Sequence, residues 1–460
     1  MTKPLYSVGV DVGTSTTQMI LSQITVANRA SGFAVPEMEI TDRRIIYRSD
    51  VYFTPLLGEN RVDGDAIRRL LAAEYEKAGV SRQQVDTGAI IITGETSRKE
   101  NAAAVLQAIS DFAGEFVVAT AGPDLESILA AKGAGAVAYS QKTGKTVVHM
   151  DIGGGTSNLA LIRAGEIVRT GCLNAGGRLI KLDKNGAVAY LSPVLDGLAD
   201  MKIGEVPHAQ QLEKVAHLLC RALEMAAGRR KDDSLLQRLS TREAESLWTP
   251  PREDVVVSLS GGVADCIETH RENLEFGDIG PLLGRAIAQS SLCRGEYILG
   301  EHTIRATVIG AGCHSTQLSG STVFCRNVDL PKKNLPVVSL TAQEQETPDF
   351  GKIVTQRIGH SDSREIVLAL PGYENGGYAQ IGALAQKIGE ALGDRPVYVC
   401  LQGDMAKALG QKLSLLLPGD RPCLCLDRLK FSGQSYLDIG QPVGPCFPVV
   451  IKTLVLSKEN

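Results

Sequence analysis

The sequence predicts an α/β fold: two similar domains facing each other across a cleft, followed by a smaller C-terminal α/β region. A strand–Asp–glycine loop–strand unit occurs twice, as "SVGVDVGTSTTQMIL" at 7–21 and "HMDIGGGTSNLALI" at 149–162. At 460 residues the chain is also too long for one ordinary core, so two or three domains are expected. Near the C-terminus, short apolar strands alternate with amphipathic helices, the pattern of a separate α/β layer. The expected boundaries are 1–144 for the first domain, 145–330 for the second and 331–460 for the C-terminal region.

Composition narrows the function classes. An apolar content of 43% with 22% charged residues describes a soluble globular protein. A net charge of −4 gives no footprint for nucleic acid, and no apolar run approaches a membrane span. The chain enters "LYSVGVDVG" almost at once, with no signal-peptide pattern, so a cytoplasmic location is expected. The 10 cysteines are scattered without a C-x-x-C pair, as in a reducing compartment. Cys423 and Cys425 share one face of a strand and read as two small hydrophobes. The 7 histidines cluster with neither cysteines nor carboxylates, so no structural zinc is expected.

In the first unit, residues 5–10 form a strand, Asp11 ends it, and Gly13, Thr14, Ser15, Thr16 and Thr17 lead into a second strand. In the second unit, 146–150 is the strand, Asp151 follows, and the loop 152–156 leads into Leu159–Ile162, then "RAG" and the strand "EIVRT". Glycine lets successive N–H groups line a concavity with no Cβ in the way, which makes an anion nest. Hydroxyls add donors for phosphate oxygens, and a carboxylate at the strand end suits Mg²⁺, which it holds through water. Two such nests across a cleft would grip a polyphosphate from both sides.

A third glycine pair follows a buried strand in "DVVVSLSGGVADCI", where Gly261 and Gly262 would admit a flat group such as adenine with its ribose. Two segments are rich in small residues. "LAAKGAGAVAYS" (129–140) is expected to be helical, and "RATVIGAGCHSTQLSGST" (305–322) to run from a strand through Gly310-Ala311-Gly312 into a helix. Leu212, Val215, Ala216, Leu219 and Leu223 place an amphipathic helix at 208–227. The charged stretch 228–254, with Trp248, reads as a surface excursion in which the tryptophan packs its own loop down. Residues 341–365 read as a polar linker or exposed hairpin.

These segments, in this order, resemble the actin/Hsp70/sugar-kinase superfamily of ATPases, whose domains are ribonuclease H-like. Asp11–Thr17 matches its first phosphate loop, Leu125–Ser140 its first connecting helix and Asp151–Ser157 its second phosphate loop. Ser260–Asp265 matches the adenosine loop and Ile309–Ser319 the second connecting helix. Within the superfamily the chain is similar to the EutA family of ethanolamine ammonia-lyase reactivating factors. "TGETSRKENA" (93–102), "GPDLESILAAKGAGA" (122–136), "FGDIGPLLGRAI" (276–287) and "GQPVGPCFPVVIKTLVL" (440–456) carry that similarity.

The resemblance implies ATP and Mg²⁺ as cofactors and a chaperone-like role, the exchange of damaged cobalamin for intact adenosylcobalamin on the lyase. It implies that Asp11 and Asp151 organise the metal, and that Gly13, Thr14, Ser15 and Thr16 form one phosphate clamp and Gly153, Gly154, Gly155 and Thr156 the other. Gly261, Gly262 and Gly310 then belong to the nucleotide site. Many relatives carry a carboxylate where this chain has Asn158, which implies slow hydrolysis. Glu126 is the candidate for orienting water, although Asp124 and Glu126 equally suit a helical first turn after Pro123. The small-residue helices would serve as the hinge. A homodimer and a place within a bacterial microcompartment stay open, as do two other readings of the fold: a small-molecule kinase and a nucleotide-gated actin-like assembly protein.

Overall fold

The computed structural model describes residues 4–13, 16–28, 38–57, 61–92, 117–120, 123–241, 248–269, 271–300, 303–314, 316–320, 322–358, 363–373, 376–429, 431 and 435–453. Thr14, Ser15 and the segment "TGETSRKENA" lie outside the described residues.

The first sheet holds β1 (Leu5–Val12), β2 (Thr16–Asn28), β3 (Met38–Arg48), β4 (Tyr52–Phe53), β5 (Thr87–Ile92) and β6 (Val117–Thr120), in the order β3-β2-β1-β5-β6 with β4 on β2. The second holds β7 (Val147–Ile152), β8 (Ser157–Arg163) and β9 (Glu166–Leu173), with β12 (Val256–Ser260) and β13 (Tyr297–Leu299) beyond β7. Between them in sequence, β10 (Ile180–Leu182) and β11 (Val188–Leu191) form a small hairpin. In both large sheets an antiparallel meander continues into parallel strands: β1 pairs with β5 and β7 with β12, each in parallel. The repeat read from two loops is therefore a repeat of whole sheets.

Helix α1 (Gly64–Ala78) covers the first sheet through Ile67, Leu71 and Tyr75, and starts at an Asp63 cap that accepts the Ala66 N–H. Helices α2 (Pro123–Gly133) and α3 (Ala136–Thr143) are separate, because Gly135 adopts a left-handed φ of 77° that no helix continues through. The single helix expected over 129–140 is thus broken in two. Helix α4 (Ala209–Ala226) buries Leu212, Val215, Ala216, Leu219 and Leu223 on the second sheet, each leucine or valine contributing about 1.5–3 kcal/mol of hydrophobic transfer. The charged excursion is more structured than expected: α5 (Ser234–Leu239) buries Leu235, Leu236 and Leu239. Trp248 is 5% exposed, packs on Gly171 and donates its indole N–H to the Ala226 carbonyl at 2.9 Å.

After β12 come the short α6 (Asp265–Glu268), then α7 (Gly280–Ala288) and α8 (Ala306–His314). Residues 303–305 are a tight 3₁₀ turn rather than the expected strand, so the helix begins earlier than its glycines suggested. Helices α2 and α8 cross with their backbones touching. A Cβ on Gly133 would strike the Ala306 carbonyl, and one on Gly310 the Leu129 carbonyl.

The third sheet contains β14 (Thr316–Leu318), β15 (Phe324–Arg326), β16 (Lys332–Ser339), β17 (Val367–Leu370), β18 (Val397–Leu401), β19 (Cys423–Leu426), β20 (Ser435–Ile439) and β21 (Pro448–Thr453). Two of its strands, β14 and β15, precede residue 331, so on pairing this unit begins at Thr316. Parallel strands β16 to β19 are linked through α9 (Ala342–Glu346), α10 (Phe350–Ile358), α11 (Tyr378–Ala391) and α12 (Ala406–Leu416). Helices α9 and α10 replace the linker expected at 341–365. Phe350, Val354 and Ile358 recur every four residues and bury one face, while Thr341 and Glu344 close a reciprocal capping box. Cys423 and Cys425 pack side by side into the core of this unit.

Candidate functional site

The two hairpins are built alike down to their hydrogen bonds. In the first, the Gly13 N–H donates to the Thr16 carbonyl at 2.9 Å, and in the second the Gly153 N–H donates to the Thr156 carbonyl at 2.9 Å. Asp11 stands opposite Gln18 across β1 and β2, as Asp151 stands opposite Asn158 across β7 and β8. Each aspartate thus ends a central strand with an amide facing it. The Thr54 hydroxyl donates to the Gly13 carbonyl at 2.7 Å and props the first turn.

Both hairpins open into one cavity of about 360 Å³. Asp11, Gly13, Thr16, Glu126, Asp151, Gly153, Gly154, Gly155, Thr156, Gly261 and Gly262 all line it, so most of the expected site is brought together. Gly310 is not among the lining residues. It sits where α8 crosses α2, one turn beyond Thr307, the α8 residue that does line the cavity. Thr14 and Ser15 lie outside the described residues.

Gly261 has a φ of 90°, and a Cβ there would run into the Ile152 backbone. The third loop therefore lies directly against the strand that carries Asp151. Asp151 accepts from the Ser260 hydroxyl at 2.5 Å and from the Thr307 hydroxyl at 3.2 Å. Burial pushes its carboxyl above the usual range, and the two hydroxyl bonds pull in the opposite direction.

Behind Ser260 lies His149, fully buried, with Nε2 3.1 Å from the Ser260 hydroxyl and Nδ1 3.0 Å from the Ser258 hydroxyl. Ser260 has one proton, which goes to Asp151, so it must accept from His149 Nε2–H. Nδ1 then accepts from Ser258, and one direction runs through the whole chain. Burial takes the imidazole down to about 3, so it is neutral at physiological pH.

The two carboxylates in the first turn of α2 have different surroundings. Asp124 is hydrogen-bonded by the Thr170 hydroxyl of β9, away from the cavity lining. Glu126 is 8% exposed, lines the cavity and accepts from the Asn158 side-chain amide at 2.8 Å.

Sequence reasoning missed two segments of the wall. The turn at 176–178 stacks under the second glycine loop: Gly177 N–H donates to the Gly153 carbonyl at 3.0 Å and Arg178 N–H to the Gly154 carbonyl at 2.6 Å. Residues 276–280 close on the same turn, with Ile279 N–H bonded to the Gly177 carbonyl at 3.0 Å. The glycine pair in "NAGGRLI" was the available signal. Together the lining contains five carboxylates (Asp11, Glu126, Asp151, Asp265, Asp278) and one basic residue, Arg178.

The family described as "Ethanolamine utilisation protein EutA" matches residues 3–457. The ethanolamine ammonia-lyase reactivase EutA of Salmonella typhimurium (strain LT2) is 36% identical over 479 residues, covering 98% of this chain and 99% of that one. Its counterpart in Escherichia coli (strain K12) is 36% identical over 470 residues with the same coverage. Among solved structures, the ethanolamine utilisation protein EutJ from Carboxydothermus hydrogenoformans gives a TM-score of 0.34 at 16% identity, covering 68% of this chain and 91% of that one. An Aquifex aeolicus Ppx/GppA phosphatase gives 0.40 at 13%, covering 67% and 99%. At these scores the structural likeness is loose.

Proposed function

The chain belongs to the EutA family of ethanolamine utilisation proteins, and from that premise we propose that it reactivates ethanolamine ammonia-lyase by binding and slowly hydrolysing MgATP. The work obtained is the exchange of damaged cobalamin for intact adenosylcobalamin on the lyase. Relatives that bear the reactivase name align over 98% of the chain. The observation that carries the nucleotide part is the convergence of both Asp–glycine loops and the Gly261–Gly262 loop on one cavity.

The residues present fit a metal-bound polyphosphate. A tetra-anionic ligand would not enter a cavity lined by five carboxylates and one arginine unless a divalent cation accompanied it. Asp11 and Asp151 would hold Mg²⁺ through water, and the bound ion supplies charge neutralisation at the phosphates. The N–H groups of Gly154, Gly155 and Thr156 on one side and the Thr16 hydroxyl on the other would bind the phosphate oxygens. Gly261 and Gly262 leave room for the adenosine against bare backbone. Glu126, fixed by Asn158, would position the attacking water. ATP held by both loops would favour closure of the two halves about the α2–α8 crossing. A reducing cytoplasm suits the free cysteines; none of the helices among the described residues is long and apolar enough to cross a membrane.

The test is capture of cobalamin-inactivated lyase, with and without MgATP, followed by assay of the recovered lyase with fresh adenosylcobalamin. Nucleotide-dependent capture and regained activity are expected. Absence of both with MgATP present would overturn the reading.

A further inference from the structure

Arg178 occupies a special place in the cavity. It is the only basic residue among the described lining residues, facing five carboxylates. Its stem lies over the second phosphate loop: a Cβ added at Gly154 would stand 3.3 Å from Arg178 Cδ and 3.4 Å from Arg178 Cβ. The guanidinium is tethered by one edge, with Nε 3.0 Å from Asp278 Oδ2. Asp278 is itself 4% exposed and pinned by the Gly280 N–H on its other oxygen at 2.8 Å.

The tether leaves the terminal nitrogens of Arg178 with no hydrogen-bond partner among the described residues. Two N–H groups on a planar fork, held beside a glycine nest and half-open to the cavity, match the geometry of a phosphate oxygen pair. Burial raises the Asp278 carboxyl while the arginine and the Gly280 N–H oppose that rise, as expected of a carboxylate retained in a dry wall for its partner.

We propose that Arg178 is a phosphate-binding residue of the nucleotide cleft, taking an oxygen pair of the polyphosphate on its terminal nitrogens, with Asp278 as its positioning residue. The inference rests on the nucleotide reading of the cleft and adds to it the cationic group that reads the polyphosphate. The fork, rather than charge alone, sets the affinity, so lysine is a poor replacement. Its contribution depends on the number of phosphates and vanishes for adenosine.

Titration calorimetry with ATP, ADP and adenosine at saturating Mg²⁺ tests this on the full chain, comparing wild type with Arg178→Met, Arg178→Lys and Asp278→Asn. Arg178→Met is expected to weaken ATP at least tenfold and leave adenosine within twofold. Arg178→Lys should recover only part of the loss, and Asp278→Asn should weaken ATP by a smaller factor. Equal losses for ATP and adenosine in Arg178→Met would mean a structural role and overturn the proposal, as would unchanged ATP binding in both arginine variants. If wild type binds neither nucleotide nor adenosine, the nucleotide reading itself fails. Arg178→Lys keeps the proposal testable should the methionine variant not fold.

Discussion

Asn158 donates its side-chain amide to the Glu126 carboxylate at 2.8 Å, joining the second hairpin to the first turn of the helix after Pro123. Neither residue is exposed beyond 8%, and both face the cavity. The amide supplies a donor where a carboxylate could not, so it fixes one oxygen of Glu126 at the cavity wall.

This pairing makes the first prediction. Glu126→Gln should reduce ATP turnover about a hundredfold, the lower range for loss of a positioned acid–base group, with ATP affinity little changed. Single-turnover hydrolysis alongside calorimetry separates the two effects; a parallel fall in affinity would assign Glu126 to binding instead.

The equivalence of Asp11 and Asp151 in the two hairpins predicts equivalent losses. Either Asp→Asn change should remove most of the Mg²⁺-dependent part of ATP binding while leaving the melting temperature within a few degrees. Calorimetry with and without Mg²⁺ measures this, and an unchanged Mg²⁺ dependence in both variants would remove the metal assignment.

His149 gives a pH dependence whose sign follows from its burial. The folded imidazole sits near 3 against 6.5 unfolded, so the unfolded chain binds the extra proton between those values. Stability is therefore fully present above 6.5 and falls as pH drops toward 3. This one group should cost about 2 kcal/mol between pH 6.5 and 5. Urea titrations of wild type and His149→Gln at both pH values should differ by that slope; parallel losses would place the acid sensitivity elsewhere.

The α2–α8 crossing is predicted to be intolerant of any side chain. Gly133→Ala or Gly310→Ala should destabilise by about 1–3 kcal/mol or more, since the Cβ meets opposing backbone rather than a mobile side chain. If the crossing is also the hinge, scattering profiles with ADP and with a non-hydrolysable ATP analogue should differ in wild type. A tenfold preference of ATP for the closed state would correspond to about 1.4 kcal/mol of coupling. Identical profiles would count against the hinge.

The sequence by itself determined the doubled architecture and the glycine-loop part of the cavity lining. Local rules suffice there: glycines favour tight turns between strands, and the match between 7–21 and 149–162 made both hairpins legible. Helical spacing likewise located the buried face of 209–226. What only the tertiary structure decided lies between segments distant in sequence. Glu126 and Asp124 sit in the same helical turn, yet one meets Asn158 at the cavity and the other meets Thr170. Arg178 and Asp278 are 100 residues apart and become one unit through the contact of two turns that no local pattern connects. Gly310 was expected in the nucleotide site, yet it lies at a helix crossing, because small residues admit a ligand and a neighbouring backbone equally well. The helices at 342–358 were obscured for a related reason: their apolar residues are few, and the spacing of Phe350, Val354 and Ile358 gains meaning only once a sheet lies beneath them.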